Sequence, residues 1–206
     1  LWAFATLGAD PSMATQTALD AAAERLAPRR QPQEVTNTLW AFATLDAPPL
    51  PTTRTVLDAA AERLAPRMNA QDVANALSAF AKLGAPPAPA TRAALDAAAA
   101  RVAPRMKPQN VANALWAFAT LGSPPTPATR TALDAAVARE ASQMQPQAVA
   151  NALWAFATLG VPPAPTTQPA SSRRRFASVV SVGRRGCAEV APHDECEPNA
   201  PVATVA

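Results

Sequence analysis

Histidine occurs once and cysteine twice in this 206-residue chain, and Cys187, His193 and Cys196 all fall near its end. One His beside a Cys-x8-Cys pair falls short of the four ligands of a structural zinc site, so no metal is expected. Nothing folded is expected around the two thiols, which also argues against a framework disulfide. No acid pair, no nucleophile beside a base and no Gly-rich phosphate loop occurs in the rest of the chain. The chain is therefore read as not an enzyme, with no cofactor and no small-molecule substrate. No stretch of about 18 apolar residues is free of charge, so no membrane partner is expected. An excess of one charge is missing too. Residues 1–160 hold 13 Lys and Arg against 11 Asp and Glu, and residues 161–206 hold 5 against 4. A protein that grips a phosphate backbone through many contacts usually carries a larger positive excess. There is no initiator Met either.

What the chain does have is a period. Trp2 and Trp40 are 38 residues apart, as are Trp116 and Trp154, and Ser78 fills the place midway between Trp40 and Trp116. That length suits one helix-turn-helix unit, two helices of three to four turns with two short connections. The unit reads Pro-Gln-x-Val-Ala-Asn-Ala-Leu-Trp-Ala-Phe-Ala-Thr-Leu-Gly, then Pro-Pro, then an Ala-rich segment ending Arg-x-Ala-Pro-Arg-Met. Copies run over 31–68, 69–106 and 107–144, with a truncated copy at 145–160 and a partial first copy at 1–30. Leu1-Trp2-Ala3-Phe4 matches Leu39-Trp40-Ala41-Phe42, so the first residue falls inside a helix and the chain is read as a fragment of a longer array. Most of the 23 Pro lie at fixed offsets between helices, where they punctuate rather than signal low complexity.

The first helix of each unit, A, is predicted over 32–45, and the second, B, over roughly 53–65. Pro32 suits the first helical position, while Asp46 and its counterparts Gly8, Gly84, Gly122 and Gly160 suit a left-handed C-terminal cap. Val35, Leu39, Phe42 and Ala43 form a core stripe on A, and Leu57, Ala60, Ala61 and Leu64 one on B. Pro66 should stop B. Neither hairpin buries its apolar face alone, so the expected fold is all-α, an α-solenoid of tandem 38-residue helix-turn-helix repeats over 1–160. Residues 161–206 keep Pro162, Pro163 and Pro165 but lose the pattern of B, and are predicted to be a low-complexity disordered tail.

With this unit and period, residues 1–160 resemble the octotricopeptide repeat family of green algae and relatives. That resemblance implies a helical solenoid, similar to pentatricopeptide proteins, which binds organelle RNA at roughly one nucleotide per repeat. It further implies control of the translation, stability or processing of transcripts, and a place in the chloroplast, with the mitochondrion as the alternative. Two departures stand out. Pro48-Pro49-Leu50-Pro51-Thr52 and Pro86-Pro87-Ala88-Pro89-Ala90 keep the Pro pair of the family's Pro-Pro-Pro-Glu-Trp segment and lose its Glu-Trp, and nothing in 161–206 looks like the RAP domain that ends some members.

A second stripe on helix A holds the candidate RNA contacts. Gln33, Asn37, Trp40 and Thr44 recur as Gln71, Asn75, Ser78 and Lys82, as Gln109, Asn113, Trp116 and Thr120, and as Gln147, Asn151, Trp154 and Thr158. Asn offers both a donor and an acceptor to base edges or phosphates, and equally to a ladder that fastens neighbouring helices. The Trp rings are read as packing in preference to base stacking. Specificity requires variation between copies. The third position of the unit varies as Glu34, Asp72, Asn110 and Ala148, and the position before the helix as Gln31, Asn69, Lys107 and Gln145. Glu34, Asp72, Asn110, Asn69 and Lys107 are therefore candidate reading sites beside Asn37, Asn75, Asn113, Asn151 and Lys82. The other reading is a solvated first turn that tolerates many residues, with acids favoured by the helix dipole. On helix B, Arg25, Arg63, Arg101 and Arg139 recur, followed by Arg29, Arg67 and Arg105, with Asp20, Asp58, Asp96 and Asp134 lying earlier. These Arg either touch phosphates or complement the negative helix C-terminus and screen a solvated outer face.

The leading function is sequence-selective binding of single-stranded organelle RNA, with other protein factors as further partners. The alternative is a protein–protein interaction scaffold of the helical-repeat type that binds no RNA.

Overall fold

The computed structural model describes Thr6 and residues 12–160. The disordered-tail expectation, Gly8 and most of the first copy's A segment lie outside the described residues. Among residues 12–160 eight α-helices follow one another: α1 (Met13–Leu26), α2 (Pro32–Thr44), α3 (Pro51–Leu64), α4 (Ala70–Lys82), α5 (Pro89–Val102), α6 (Pro108–Thr120), α7 (Pro127–Glu140) and α8 (Pro146–Thr158). The even-numbered helices are the A helices of the repeat and the odd-numbered ones the B helices. Among the described residues there is no strand. The 38-residue α-solenoid expected from the sequence is the observed fold.

The boundaries follow from local chemistry. Pro opens α2, α3, α5, α6, α7 and α8, where its missing N–H costs no hydrogen bond. Helix B thus begins at Pro51, two residues earlier than the sequence pattern predicts. Its end is a 3-10 turn, Ala65–Arg67 after α3 and Ala103–Arg105 after α5, where Pro66 and Pro104 remove an amide donor from the ladder, and the same turn forms at Ala141–Gln143 without a Pro. Each A helix ends on a residue of positive φ, Asp46 at 49°, Gly84 at 60°, Gly122 at 58° and Gly160 at 67°. A Cβ on Gly84 would meet nothing within 4 Å, so this glycine answers to backbone conformation and not to crowding.

Packing runs along two layers. A helices stack on A helices, α2 on α4 on α6 on α8, and B helices on B helices, α1 on α3 on α5 on α7. The A layer is the more intimate, since Ala74, Ala76, Ala79 and Ala81 on α4 are all buried and their small side chains let the axes approach. Phe42, Phe80 and Phe118 are fully enclosed, as are Leu39, Leu77 and Leu115. Each such ring contributes about 1.5–3 kcal/mol by leaving water. The core stripes expected on both helices are buried, except that Ala43 is only half-buried. At α8 the picture changes: Val149 and Leu153 are 38% and 40% exposed, whereas their counterparts Val111 and Leu115 are at 0% and 1%. The described residues place no further helix against that face.

Candidate nucleic-acid interface

The A helices bring the polar stripe to the surface in the described copies, except at Ser78 on α4. Asn37, Asn75, Asn113 and Asn151 are half-buried, and the Gln one turn earlier, Gln33, Gln71, Gln109 and Gln147, is exposed each time. At the far end Thr44, Lys82, Thr120 and Thr158 are exposed. Among the described residues no hydrogen bond joins one of these Asn to another. Asn113 accepts from Gln109 Nε2 at 3.0 Å within its own helix, which leaves its amide N–H groups free to donate. Trp40 and Trp116 are half-buried, Trp116 against the core, and Trp154 is 43% exposed on the uncovered face of α8. Ser78 is buried with a hydroxyl that has no partner.

The copy-variable positions take part in helix capping. Asn69 Oδ1 accepts the amides of Gln71 and Asp72 at 2.8 and 2.9 Å, while Asp72 Oδ2 accepts the Asn69 amide at 3.1 Å. This reciprocal arrangement satisfies donors at the start of α4 and leaves Asp72 only 5% exposed. Glu34 Oε2 accepts the Gln31 amide at 2.9 Å, and Glu34 Oε1 pairs with Arg30 Nη1 at 2.8 Å. The backbone bond from Gln31, then Arg30, holds the Glu34 carboxyl below its ordinary value. Asn110 stays half-exposed, and Ala148 is buried. Of the reading sites named from the sequence, Glu34, Asn69 and Lys107 lie exposed and Asn110 partly so, whereas Asp72 lies beneath the surface.

The charges of helix B are sorted by the structure into two groups. Arg101 Nη2 donates to the carbonyls of Ala65 and Met68 at 3.1 and 2.7 Å, and Arg139 Nη2 to those of Ala103 and Met106 at 3.2 and 3.0 Å. Each thus reaches back to the C-terminal turn of the preceding repeat, satisfying carbonyls that a helix end leaves open. Arg54 reaches forward to the carbonyls of Ala85 and Pro86 and lies 5.0 Å from the Phe80 ring centroid. The Asp series is not solvated. Asp20, Asp58, Asp96 and Asp134 are 4–9% exposed, and the first three accept the amides of Leu50, Ala88 and Thr126. Sequence reasoning gave these acids no role, although their recurrence with Thr53, Thr91 and Thr129 in step was visible.

The second group is open. Arg29 and Arg105 are exposed and make no hydrogen bond or ion pair among the described residues, and Arg67 meets only Gln31 Oε1 at 3.4 Å. Lys82 and Lys107 are exposed as well. Arg29, Arg67 and Arg105 recur once per repeat in the turn before an A helix, which places a row of cations at the N-terminal end of the polar stripe. No group of His, Cys, Asp and Glu among the described residues could hold a metal. No described helix is long and apolar enough to cross a membrane.

A family model described as the Tbc2 translation factor, N-terminal domain, matches residues 50–124 and again 106–164. The two matches overlap and together cover more than half of the chain. A second model, described as a protein of unknown function (DUF1601), matches residues 23–39. Among curated proteins none matches the chain.

Proposed function

The chain belongs to the family of the Tbc2 translation factor N-terminal domain, which is of the octotricopeptide repeat type, and on that premise we propose that it binds single-stranded organelle RNA. The reading places it in the chloroplast, where occupancy of a transcript shields it from nucleases or exposes a translation start. The observation that carries the proposal is the half-exposed row of Asn37, Asn75, Asn113 and Asn151, one per repeat, none of them bonded to another. Unstacked bases present hydrogen-bonding edges that such amides match, and the half-exposed Asn110 and exposed Lys107 add groups that differ between copies. The row Arg29, Arg67 and Arg105 supplies the counter-charge for the backbone.

Fluorescence anisotropy with single-stranded RNA over a salt series tests this. Affinity should fall as salt rises, and Asn113→Ala should weaken binding by about 0.5–1.5 kcal/mol, the net worth of one hydrogen bond. Binding that ignores both salt and the Asn113 substitution rules the proposal out. The near-neutral balance of residues 1–160, with several Arg engaged internally, favours a second reading in which the array holds a protein partner. Absence of RNA binding from the chain would leave that reading in place.

A further inference from the structure

The turn between α6 and α7 carries a hydroxyl where its counterparts have none. Ser123 stands where the two preceding copies have Ala47 and Ala85, and it is followed by Pro124. Its amide donates to the Phe118 carbonyl at 3.1 Å, which fixes the chain as it leaves α6, and the proline after it disfavours the helical region at Ser123. The side chain is partly exposed, and its oxygen accepts from Arg92 Nη1 on α5 at 2.8 Å. In the preceding copy the equivalent Arg54 is half-buried over Phe80 and gives its guanidinium to the carbonyls of Ala85 and Pro86. Arg92 is exposed and, among the described residues, pairs with no carboxylate.

A second hydroxyl before a proline lies three residues on, and it is engaged. At the joint between α5 and α7, Thr126 Oγ1 donates to Asp96 Oδ2 at 2.6 Å, so its proton is committed and a carboxylate stands beside it. The Ser123 hydroxyl has the opposite surroundings: its oxygen faces a cation, and among the described residues its proton makes no hydrogen bond. We propose that Ser123 is a phosphorylation site for a proline-directed kinase, with Arg92 as the group that receives the phosphate. The γ-phosphoryl group of ATP passes to Ser123 Oγ, the hydroxyl proton goes to the base of the kinase, and ADP leaves. The product sets a dianion with three acceptor oxygens beside a guanidinium that already reaches Oγ, a pairing that the planar Arg fork favours. Charge-assisted bonds then tie α5 to the turn before α7, which the copies with Ala47 and Ala85 cannot do. At Thr126 the same charge would face Asp96 and break the bonds that cap α7.

Treating the whole chain with ATP and a purified proline-directed serine/threonine kinase, then mapping the added mass by fragmentation, tests the site. Phosphate should enter Ser123 at least about 10-fold faster than Thr126, because only Thr126 must give up a bond to a carboxylate and take a like charge beside it. Ser123→Ala should abolish this incorporation in a chain that folds as before, since Ala47 and Ala85 occupy the same place in other copies. Phosphorus magnetic resonance then reads Arg92: the phosphate should bind its last proton about 3-fold or more weakly than in Arg92→Gln phosphorylated the same way. No phosphate on Ser123 of the folded chain, or a rate at Thr126 equal to it, overturns the site. A phosphate whose titration is the same in Arg92→Gln overturns the receiving role of Arg92.

Discussion

The Thr129 hydroxyl lies 2.9 Å from Asp96 Oδ2 and 3.0 Å from the Asp96 carbonyl oxygen, so one residue of α7 closes on both the side chain and the backbone of α5. Thr126 completes the enclosure, its amide 3.1 Å from Oδ1 and its hydroxyl 2.6 Å from Oδ2. The carboxylate thereby caps the N-terminus of the next B helix from outside that helix, where its charge also opposes the positive end of the dipole.

Removing it should therefore cost more than a surface acid would. Asp96→Ala takes the acceptor from the part-buried Thr126 amide, at about 1–3 kcal/mol, whereas the Thr129 hydroxyl keeps the Asp96 carbonyl and the Thr126 hydroxyl keeps Thr129 Oγ1. Asp96→Asn keeps one acceptor oxygen and should lose less. Urea unfolding followed by circular dichroism checks both, with an unchanged denaturant slope showing that the loss is in stability and not in compactness. An Asp96→Ala midpoint equal to that of the unaltered chain would mean that the joint carries no weight.

Arg101 and Arg105, four residues apart, should separate stability from binding. Arg101→Met breaks charge-assisted bonds to two carbonyls, worth about 1.5–3 kcal/mol, and should leave the salt dependence of RNA binding as it was. Arg105→Ala removes an exposed cation without a partner and should do the reverse. Its midpoint of unfolding should hold, while the slope of log K against log salt falls by about 0.7 for each single-strand phosphate that the protein no longer neutralises. Both effects in one variant, or neither in both, would contradict the sorting of the two Arg series.

How far the sequence reaches is visible in these same residues. The period, the helix types, the caps at Asp46, Gly84 and Gly122 and the buried faces around Phe42 and Leu57 are legible because each follows from local spacing or local backbone chemistry. The Asp96–Thr126 and Arg101–Met68 bonds join residues 30 and 33 positions apart, and no local rule shows which face of B meets the next repeat. Their charge suggested a solvated face for the same reason that isolated acids and Arg usually lie on one. At Asn69 and Asp72 the missing element was the capping box, whose Asn-x-x-Asp spacing stood in the sequence but was read as variation between copies. Which Asn faces solvent and which group fastens the stack depends on packing between repeats, and packing is what the structure adds.

Ser78 offers a change that should stabilise. Its hydroxyl is buried without a partner on α4, at the place where α2 and α6 carry Trp40 and Trp116. Ser78→Ala removes the unpaired polar group and improves helix propensity, with an expected gain of about 1 kcal/mol and a higher melting temperature. A loss of stability would show that the hydroxyl finds a water partner worth keeping.

Acid should loosen the start of α2 through Glu34. The Gln31 amide bonds to its carboxylate and Arg30 pairs with it, both favouring the charged form, so its folded pKa lies below the unfolded one. A group shifted in this direction contributes stability that is present above the unfolded pKa, about 4.3 for Glu, and is lost as pH falls through the folded value. Between neutral pH and about pH 5 the stability of the first turn of α2 should therefore be insensitive to pH, and below about pH 4 the protection of its amides, relative to an unstructured chain at the same pH, should fall. Glu34→Gln keeps an acceptor oxygen for the Gln31 amide but cannot titrate, so the acid-linked loss of protection at Gln31 should vanish in that variant. Nuclear magnetic resonance titration of the Gln31 amide checks the direction, since a loss of protection that persists in Glu34→Gln would trace to another carboxylate.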